Sequence, residues 1–162
     1  MSGKSEGNTL SHVDSEGKAR MVDVSGKSRI RRTAKAYGKI LLKPDTLDLI
    51  RKNSIAKGDV LATARIAGIM AAKRTSDLIP LCHPIEIDRI DIDFEIGEDS
   101  ISISGVTACT DRTGIEMEAI TAVAITAVTI YDMCKAVDDS MTITEIRLIE
   151  KTKSPLDRDD GA

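Results

Sequence analysis

Two runs of alternating apolar residues, separated by a turn, constrain the fold of this 162-residue chain more than any other feature. Residues 85–96 (IEIDRIDIDFEI) place an apolar side chain at nearly every second position, and Gly97-Glu98-Asp99 follows as a turn. Residues 101–110 (ISISGVTACT) alternate again, so the two runs predict a β-hairpin. The alternation changes phase at Asp88-Arg89 and at Ser104-Gly105, and a β-bulge or a bend is the simplest explanation of each change.

The other segments predict the helices and strands that surround this hairpin. In chain order these are a strand at 35–43, a short helix from Thr46 to about Asn53, a helix that Asp59 caps and that ends near Thr75, a loop at 76–84, a helix from Thr113 to about Val137 and a strand from Met141 to about Lys151. With the hairpin, the order β-α-α-β-β-α-β is close to the split βαββαβ arrangement. We therefore predict an α+β, ferredoxin-like fold, in which helices pack on one face of an antiparallel sheet.

The second face of the predicted sheet also carries many apolar residues for a small chain. Such a face indicates burial against another subunit. Residues 1–20 and 154–162 are rich in small and charged residues without an apolar period, which predicts flexible ends. A single catalytic domain is expected between them, at residues 21–153.

Composition excludes several classes of function. Aromatic residues make up 2% of the chain, and the net charge is −3, which disfavours base stacking and a basic nucleic-acid-binding surface. The three cysteines form no CxxC pair, which fits a reducing compartment. The apolar run from Ala119 to Tyr131 is too short to span a bilayer, and no signal peptide is visible. These features predict a cytoplasmic protein that binds neither nucleic acid nor a membrane.

A zinc site is the first candidate for chemistry, with Cys82, His83, Cys109 and Cys134 as its potential ligands. These residues are either adjacent or about 25 positions apart, whereas zinc sites usually draw close pairs from one hairpin or helical turn. Adjacent side chains on an extended loop also point in opposite directions. We therefore predict no metal site, and Cys109 and Cys134 are better explained as small buried apolar residues.

A phosphate site is the second candidate. Lys57-Gly58-Asp59 precedes a predicted helix, whose free N–H groups and dipole attract anions. A dense basic run at 27–32 and Lys73-Arg74 at a helix end could serve the same ligand. Taken singly, each of these charges is better explained as solvated, and no glycine pattern of a standard nucleotide-binding fold is present.

The long apolar helix supplies the third candidate. Thr113 and Glu116 match a capping box, so Glu116 has a structural explanation that Glu118 lacks. Asp132 and Lys135 are three residues apart and can touch. Glu118 and Asp132 share a helix face, but fourteen residues (132 − 118) put them about 21 Å apart along the axis. A small substrate could contact both only if its site were shared between two chains.

Four segments together resemble the cyclic pyranopterin monophosphate synthase family, also called the molybdenum cofactor biosynthesis protein C family. They are 21–27 (MVDVSGK), 57–84 (KGDVLATARIAGIMAAKRTSDLIPLCHP), 114–122 (GIEMEAITA) and 129–138 (TIYDMCKAVD). The resemblance covers about residues 20–152. It implies a lyase that converts (8S)-3',8-cyclo-7,8-dihydroguanosine 5'-triphosphate, the product of an upstream radical-SAM enzyme, to cyclic pyranopterin monophosphate and pyrophosphate. It also implies a homohexamer, a trimer of dimers, with sites at subunit boundaries.

The same resemblance assigns roles to individual residues. It implies acid/base catalysis by Asp132, Lys135 and Lys57, and substrate binding by Leu81, Cys82, His83, Met117, Glu118 and Glu116, with Arg32, Lys27 and Lys73 as candidates for the triphosphate. No cofactor is implied, although Mg²⁺ could accompany the triphosphate. Pro80 and Pro84 stiffen the loop that presents His83, which suits substrate binding. The alternatives are a non-catalytic ligand-sensing module and a zinc protein that uses Cys82 and His83.

Overall fold

The structure, a computed structural model, describes residues 16–156 and has an α+β fold. Its elements, in chain order, are β1 (Ile30–Leu41), α1 (Pro44–Arg51), α2 (Val60–Ala72), α3 (Thr75–Leu78), β2 (Arg89–Ile96), β3 (Ser100–Asp111), α4 (Glu116–Cys134) and β4 (Thr142–Ser154). The strand order is β2-β3-β1-β4, and every neighbouring pair is antiparallel. This confirms the ferredoxin-like prediction.

The element boundaries differ from the predicted ones in several places. β1 begins at Ile30, five residues before the expected start, and the short α3 lies in the segment predicted to be a loop. β4 continues to Ser154, which pairs with Arg31, so this residue belongs to the sheet and not to a tail. Of the two predicted flexible ends, residues 1–15 and 157–162 lie outside the described residues. Asp59 caps α2 as predicted, because its Oδ1 accepts a hydrogen bond from the Ala62 N–H at 2.9 Å.

Both predicted bulges in the β2–β3 hairpin are wrong. The register between the strands runs without interruption from Arg89↔Ala108 to Ile96↔Ile101. The phase change at Asp88-Arg89 marks the start of β2, because residues 85–88 precede the strand. The register irregularities lie instead between β1 and β4, next to Ala36 and Gly38.

The second phase change results from a glycine that faces a helix. Ile101, Ile103 and Gly105 are buried on the helix side of β3. A Cβ at Gly105 would lie 2.8 Å from Val123 Cγ2 of α4, so the side chain is absent where the helix comes closest. The strand keeps its phase, and only the apolar signal is interrupted.

The open face of the sheet is polar, which contradicts the prediction of an apolar second face. The Tyr37 hydroxyl and Ser102 Oγ are hydrogen-bonded at 2.9 Å there, and the Arg147 guanidinium lies over the Tyr37 ring at 4.8 Å from its centroid. Because neither bulge exists, the isoleucines of β2 and β3 all face the helices. Exposed apolar side chains occur on the helices, among them Ile66, Met70 and Val128, and also on β4, at Ile146 and Ile149.

Helices α2 and α4 pack against each other on the other face of the sheet. Gly68 allows their close approach, since a Cβ there would lie 2.1 Å from Thr126 Oγ1 and 2.9 Å from the Ala122 carbonyl oxygen. By length and composition alone, α4 could cross a membrane. Its buried side chains, however, pack against the sheet and α2, as those of a core helix do.

Replacing Gly68 by alanine should lower the free energy of unfolding by about 1–3 kcal/mol, because overpacking at the helix contact outweighs a gain in helix propensity of about 1 kcal/mol. Urea unfolding measures the loss. In a Thr126→Ala background the loss should shrink, since the closest atom is then absent. A Gly68→Ala variant that is more stable than the wild type would show that α2 and α4 can separate without cost.

Candidate active site

Helix α4 carries predicted site residues at both of its ends. Met117 and Glu118 lie in its first turn, and Asp132 lies in its last, on one continuous helix. Helix α2 runs alongside in the opposite direction, because Lys57 before it reaches Asp132 and the segment 81–83 after it lies beside Glu118. The predicted site residues are therefore divided between two groups, about 21 Å apart along the helix.

The first group surrounds a cavity of about 340 Å³ at the N-terminal end of α4. Seven predicted binding residues line it: Lys27, Leu81, Cys82, His83, Glu116, Met117 and Glu118. Val22, Val24, Ile85, Thr113 and Gly114 complete the wall. Three stretches of chain far apart in sequence, 22–27, 81–85 and 113–118, thus converge on one cavity.

Glu118 is the most unusual group in this cavity. It is only 3% exposed, and among the described residues no group donates a hydrogen bond to its Oε2. Burial raises the pKa of the Glu118 carboxyl from 4.5 to about 7, and the nearby charge of Glu116 adds to the effect. An unpartnered buried oxygen in a cavity is a free acceptor for a ligand.

His83 connects the cavity loop to the N-terminal segment. Its Nε2 lies 2.8 Å from the Val22 carbonyl oxygen, and since a carbonyl only accepts, Nε2 carries the proton. The chain turns just after Val22, where the Lys27 N–H donates to the Val24 carbonyl at 3.0 Å. His83 therefore holds the segment that forms one wall of the cavity.

A smaller cavity of about 220 Å³ adjoins the first and shares Gly114 and Glu116 with it. Arg32, Lys151 and Lys153 line it, but Arg32 Nε and Nη2 donate to the backbone carbonyls of Asp111 and Arg112. Sequence reasoning missed the two lysines, although their spacing of two residues places them on one face of a strand.

The predicted capping box at the start of α4 does not form. The N-cap residue is Ile115, and no side chain caps it. Glu116 instead pairs with Lys151 of β4, with Oε1 and Nζ 3.1 Å apart. A tertiary ion pair has replaced the local interaction that the sequence predicted.

The second group is a three-residue ion cluster at the C-terminal end of α4. Lys57 Nζ lies 2.8 Å from Asp132 Oδ2 and 2.7 Å from the Asp132 carbonyl oxygen, while Lys135 Nζ lies 2.7 Å from Asp132 Oδ1. Lys135, and then Lys57, lower the pKa of the Asp132 carboxyl to about 2, and Asp132 raises the pKa of Lys135. Asp132 and Lys135 are thus both charged at neutral pH.

Acid/base chemistry by a lysine beside a carboxylate requires burial to tune the pKa of the lysine. The side chains of Lys57, Asp132 and Lys135, however, are 43%, 53% and 56% exposed. Without burial, the ion pair dominates and holds the Lys135 proton more tightly. The Lys57-Gly58-Asp59 phosphate hypothesis also changes, because Asp59 caps the helix start and the Lys57 amine contacts Asp132.

The sequence comparisons were made with protein families and with curated proteins. The sequence profile of the MoaC family matches residues 21–154. This chain belongs to the MoaC family. Its match spans β1 to β4 and includes both groups of site residues.

Curated relatives of this MoaC-family chain carry one name. The chain is 59% identical over 144 residues to cyclic pyranopterin monophosphate synthase 3 of Mycobacterium tuberculosis. The alignment covers 88% of this chain and 81% of that protein. The chain is 56% identical over 144 residues to the cyclic pyranopterin monophosphate synthase of Desulfitobacterium hafniense, covering 88% of each chain. The enzyme of the same name from Streptomyces coelicolor is 51% identical over 151 residues, covering 93% of this chain and 89% of that one.

Some residues that the sequence singled out in this MoaC-family chain belong neither to the cavity nor to the ion cluster. Lys73 is exposed at the C-cap of α2 and is not among the described side chains that line the two cavities. Cys109 and Cys134 are fully buried, as predicted, and burial raises the pKa of each thiol to about 11. Within residues 16–156, no group of three or more His, Cys, Asp or Glu side chains could hold a metal ion.

Glu118 should make stability depend on pH. Because burial raises its pKa from 4.5 to about 7, its contribution is fully present below pH 4.5 and is lost as the pH rises to about 7. Over that window the wild type should lose about 3 kcal/mol more of its free energy of unfolding than the Glu118→Gln variant does.

Urea unfolding at about pH 5 and about pH 8 measures this difference. The matched control is Glu98→Gln, which neutralises an exposed carboxylate in the β2–β3 turn and should keep the wild-type pH dependence. Equal pH dependence in the wild type and in Glu118→Gln would show that Glu118 titrates like a solvated carboxylate.

Proposed function

We propose that this chain catalyses the reaction for which its curated relatives are named. It is then a lyase that converts (8S)-3',8-cyclo-7,8-dihydroguanosine 5'-triphosphate to cyclic pyranopterin monophosphate and pyrophosphate. The observation that carries this proposal is the buried, unpartnered Oε2 of Glu118 in a cavity lined by family motifs. A carboxylate there can accept hydrogen bonds from the N–H groups of a guanine-derived ring.

The triphosphate of the substrate needs positive charge. Lys27 lines the larger cavity, where the ring would bind, and the adjoining cavity is lined by Arg32, Lys151 and Lys153. Basic side chains therefore continue from the first cavity into the second. They favour a polyanion and the departure of pyrophosphate. We propose that any Mg²⁺ arrives with the triphosphate, since the described residues include no carboxylate cluster for it.

The Lys57–Asp132–Lys135 cluster would carry the proton transfers. In the final step a sugar hydroxyl attacks the α-phosphorus, the new O–P bond forms, and the bond to pyrophosphate breaks. The hydroxyl proton passes to a base of the cluster, and a lysine stabilises the charge that develops on phosphate. Because the ionised Asp132 carboxylate raises the pKa of Lys135 in this exposed cluster, Lys135 must be desolvated before it can exchange its proton at neutral pH.

A second copy of the chain would provide this desolvation. The cavity and the cluster lie about 21 Å apart along α4, too far for one substrate to contact both in one chain. We propose that each site combines the cavity of one subunit with the cluster of another, within a homohexamer that is a trimer of dimers. The exposed Ile66, Met70 and Val128 support an interface on the helix layer.

The biological setting follows from the same proposal. The substrate is a reactive intermediate that a radical-SAM enzyme makes upstream, so we propose a functional link to that enzyme. Both reactions would take place in the cytoplasm, which agrees with three free cysteines.

Substitutions in the cluster should lower the rate of product formation more than they weaken substrate binding. Asp132→Asn and Lys135→Ala should each lower kcat by about 10²–10⁴-fold, the usual contribution of acid/base groups. The oxidised pterin can be followed by fluorescence, and pyrophosphate by a coupled assay. Asp48→Asn is the matched control, because Asp48 also pairs with a cation three residues on, Arg51, on an exposed helix face. Wild-type turnover in both cluster variants would contradict the assigned role.

Two inactive variants should restore activity when they are co-expressed. Lys57→Ala lacks a cluster residue and Glu118→Ala lacks a cavity residue, so a mixed pair of chains contains one intact site. With random pairing across a two-fold interface, about one quarter of the sites should be intact. The pterin assay measures the recovery, and co-expressed Lys57→Ala and Lys135→Ala are the control that should stay inactive. No recovery in the first pair would place all residues of a site on one chain.

A further inference from the structure

Residues 16–156 include one buried carboxylate for which the proposed reaction has no direct use. Asp138 follows Lys135 by three residues and is 1% exposed. It lies in the segment between α4 and β4, with its side chain turned toward the start of α1. A buried carboxylate requires compensation, so its partners show what it holds together.

Asp138 has partners on two separate parts of the chain. Its Oδ2 accepts hydrogen bonds from the Lys43 N–H at 2.8 Å and the Thr46 hydroxyl at 3.2 Å. Its Oδ1 accepts from the Ser140 N–H at 3.0 Å and hydroxyl at 2.8 Å. Burial alone would raise the pKa of the carboxyl, but these bonds overcome that effect and hold it below its usual range.

On one side, backbone hydrogen bonds connect Asp138 to the end of α4 that carries Asp132 and Lys135. The N–H groups of Val137 and Asp138 both donate to the Cys134 carbonyl, at 2.9 and 3.0 Å. Asp138 is thereby fixed to the last turn of α4, the turn that carries the anionic member of the cluster. Any movement of Asp138 is transmitted to that helix end.

On the other side, hydrogen bonds connect Asp138 to the start of α1 and so to the segment that carries Lys57. Lys43 is the N-cap of α1 and has no side-chain cap of its own. Asp138 accepts from the N–H of this N-cap residue, as the third helical residue of a capping box does, but from another part of the chain. After α1 the chain continues through hydrogen-bonded turns, from the Ser54 N–H to Leu49 and from the Gly58 N–H to Ile55. Lys57 lies within the last of these turns, next to the buried Ile55.

We propose that Asp138 is a positioning residue for the acid/base cluster, an inference that rests on the proposed function. It joins the two chain segments whose separation determines the distance between Lys57 Nζ and Asp132 Oδ2, 2.8 Å here. It touches no cluster side chain itself. Since Lys57 and Asp132 come from opposite sides of this junction, loosening it lets the pair move apart.

The test replaces Asp138 by asparagine, which keeps its shape but turns an NH₂ group toward one set of donors. The kcat should fall by about tenfold to hundredfold, the cost of displacing reacting groups by about 1 Å. The KM should stay within about twofold, because the cavity lies at the other end of α4. The adjacent Asp139→Asn removes an exposed carboxylate that also faces Lys43, and it should leave kcat and KM unchanged.

A second control separates positioning from stability. Ile101→Val shortens a fully buried side chain in β3 and lowers stability without touching the junction. At a temperature where both variants are folded, it should keep the wild-type kcat. Equal loss of kcat in Ile101→Val and Asp138→Asn, or a rise in KM equal to the fall in kcat, would overturn the positioning role.

The last measurement does not depend on activity. NMR titration of ¹³Cγ-labelled aspartates reports the Asp132 carboxyl, whose pKa Lys135 and then Lys57 lower in the wild type. In Asp138→Asn this pKa should rise, because Lys57 Nζ moves away from the carboxyl, and in Asp139→Asn it should not. An unchanged titration contradicts the positioning role, whereas a wild type that forms no pterin contradicts only the proposed function.

Discussion

The close contact between α2 and α4 is the interaction on which the rest of the site depends. Gly68 lies against Thr126 and the Ala122 backbone, so the two helices approach to a distance that no larger residue permits. Because the helices run in opposite directions, one contact sets the geometry at both ends. It brings the segment 81–83 to Glu118 at one end and Lys57 to Asp132 at the other.

The two ends of α4 place carboxylates in opposite electrostatic environments. Glu118 is buried without a cation, and its pKa rises to about 7. Asp132 is half exposed between two ammonium groups, and its pKa falls to about 2. The first group is suited to recognition of a ligand that supplies its missing partner. The second is a stable ion cluster, for which we propose an acid/base role once water is removed from it.

Asp138 and Glu116 are examples of charge used for structure. Asp138 caps a helix from a distant segment, and Glu116 pairs with a lysine from the far edge strand. Sequence spacing could not reveal either partner, because the interacting residues are 95 and 35 positions apart (138 − 43 and 151 − 116). The capping box predicted for Glu116 was a local pattern that a tertiary ion pair displaced.

Local patterns in the sequence alone determined the hairpin, the helices α1, α2 and α4, the capping of α2 by Asp59 and the antiparallel topology. They succeeded because alternation and helical periodicity depend on which side of an element faces the core. They failed at Gly105, where the approach of Val123 removes a side chain and imitates a bulge, and on the open sheet face. Only the tertiary structure shows that no described group donates a hydrogen bond to Glu118 Oε2, that Lys57 and Lys135 are exposed, and which segments line the cavity. Burial and long-range contacts set these properties, and neither has a signature in residue spacing.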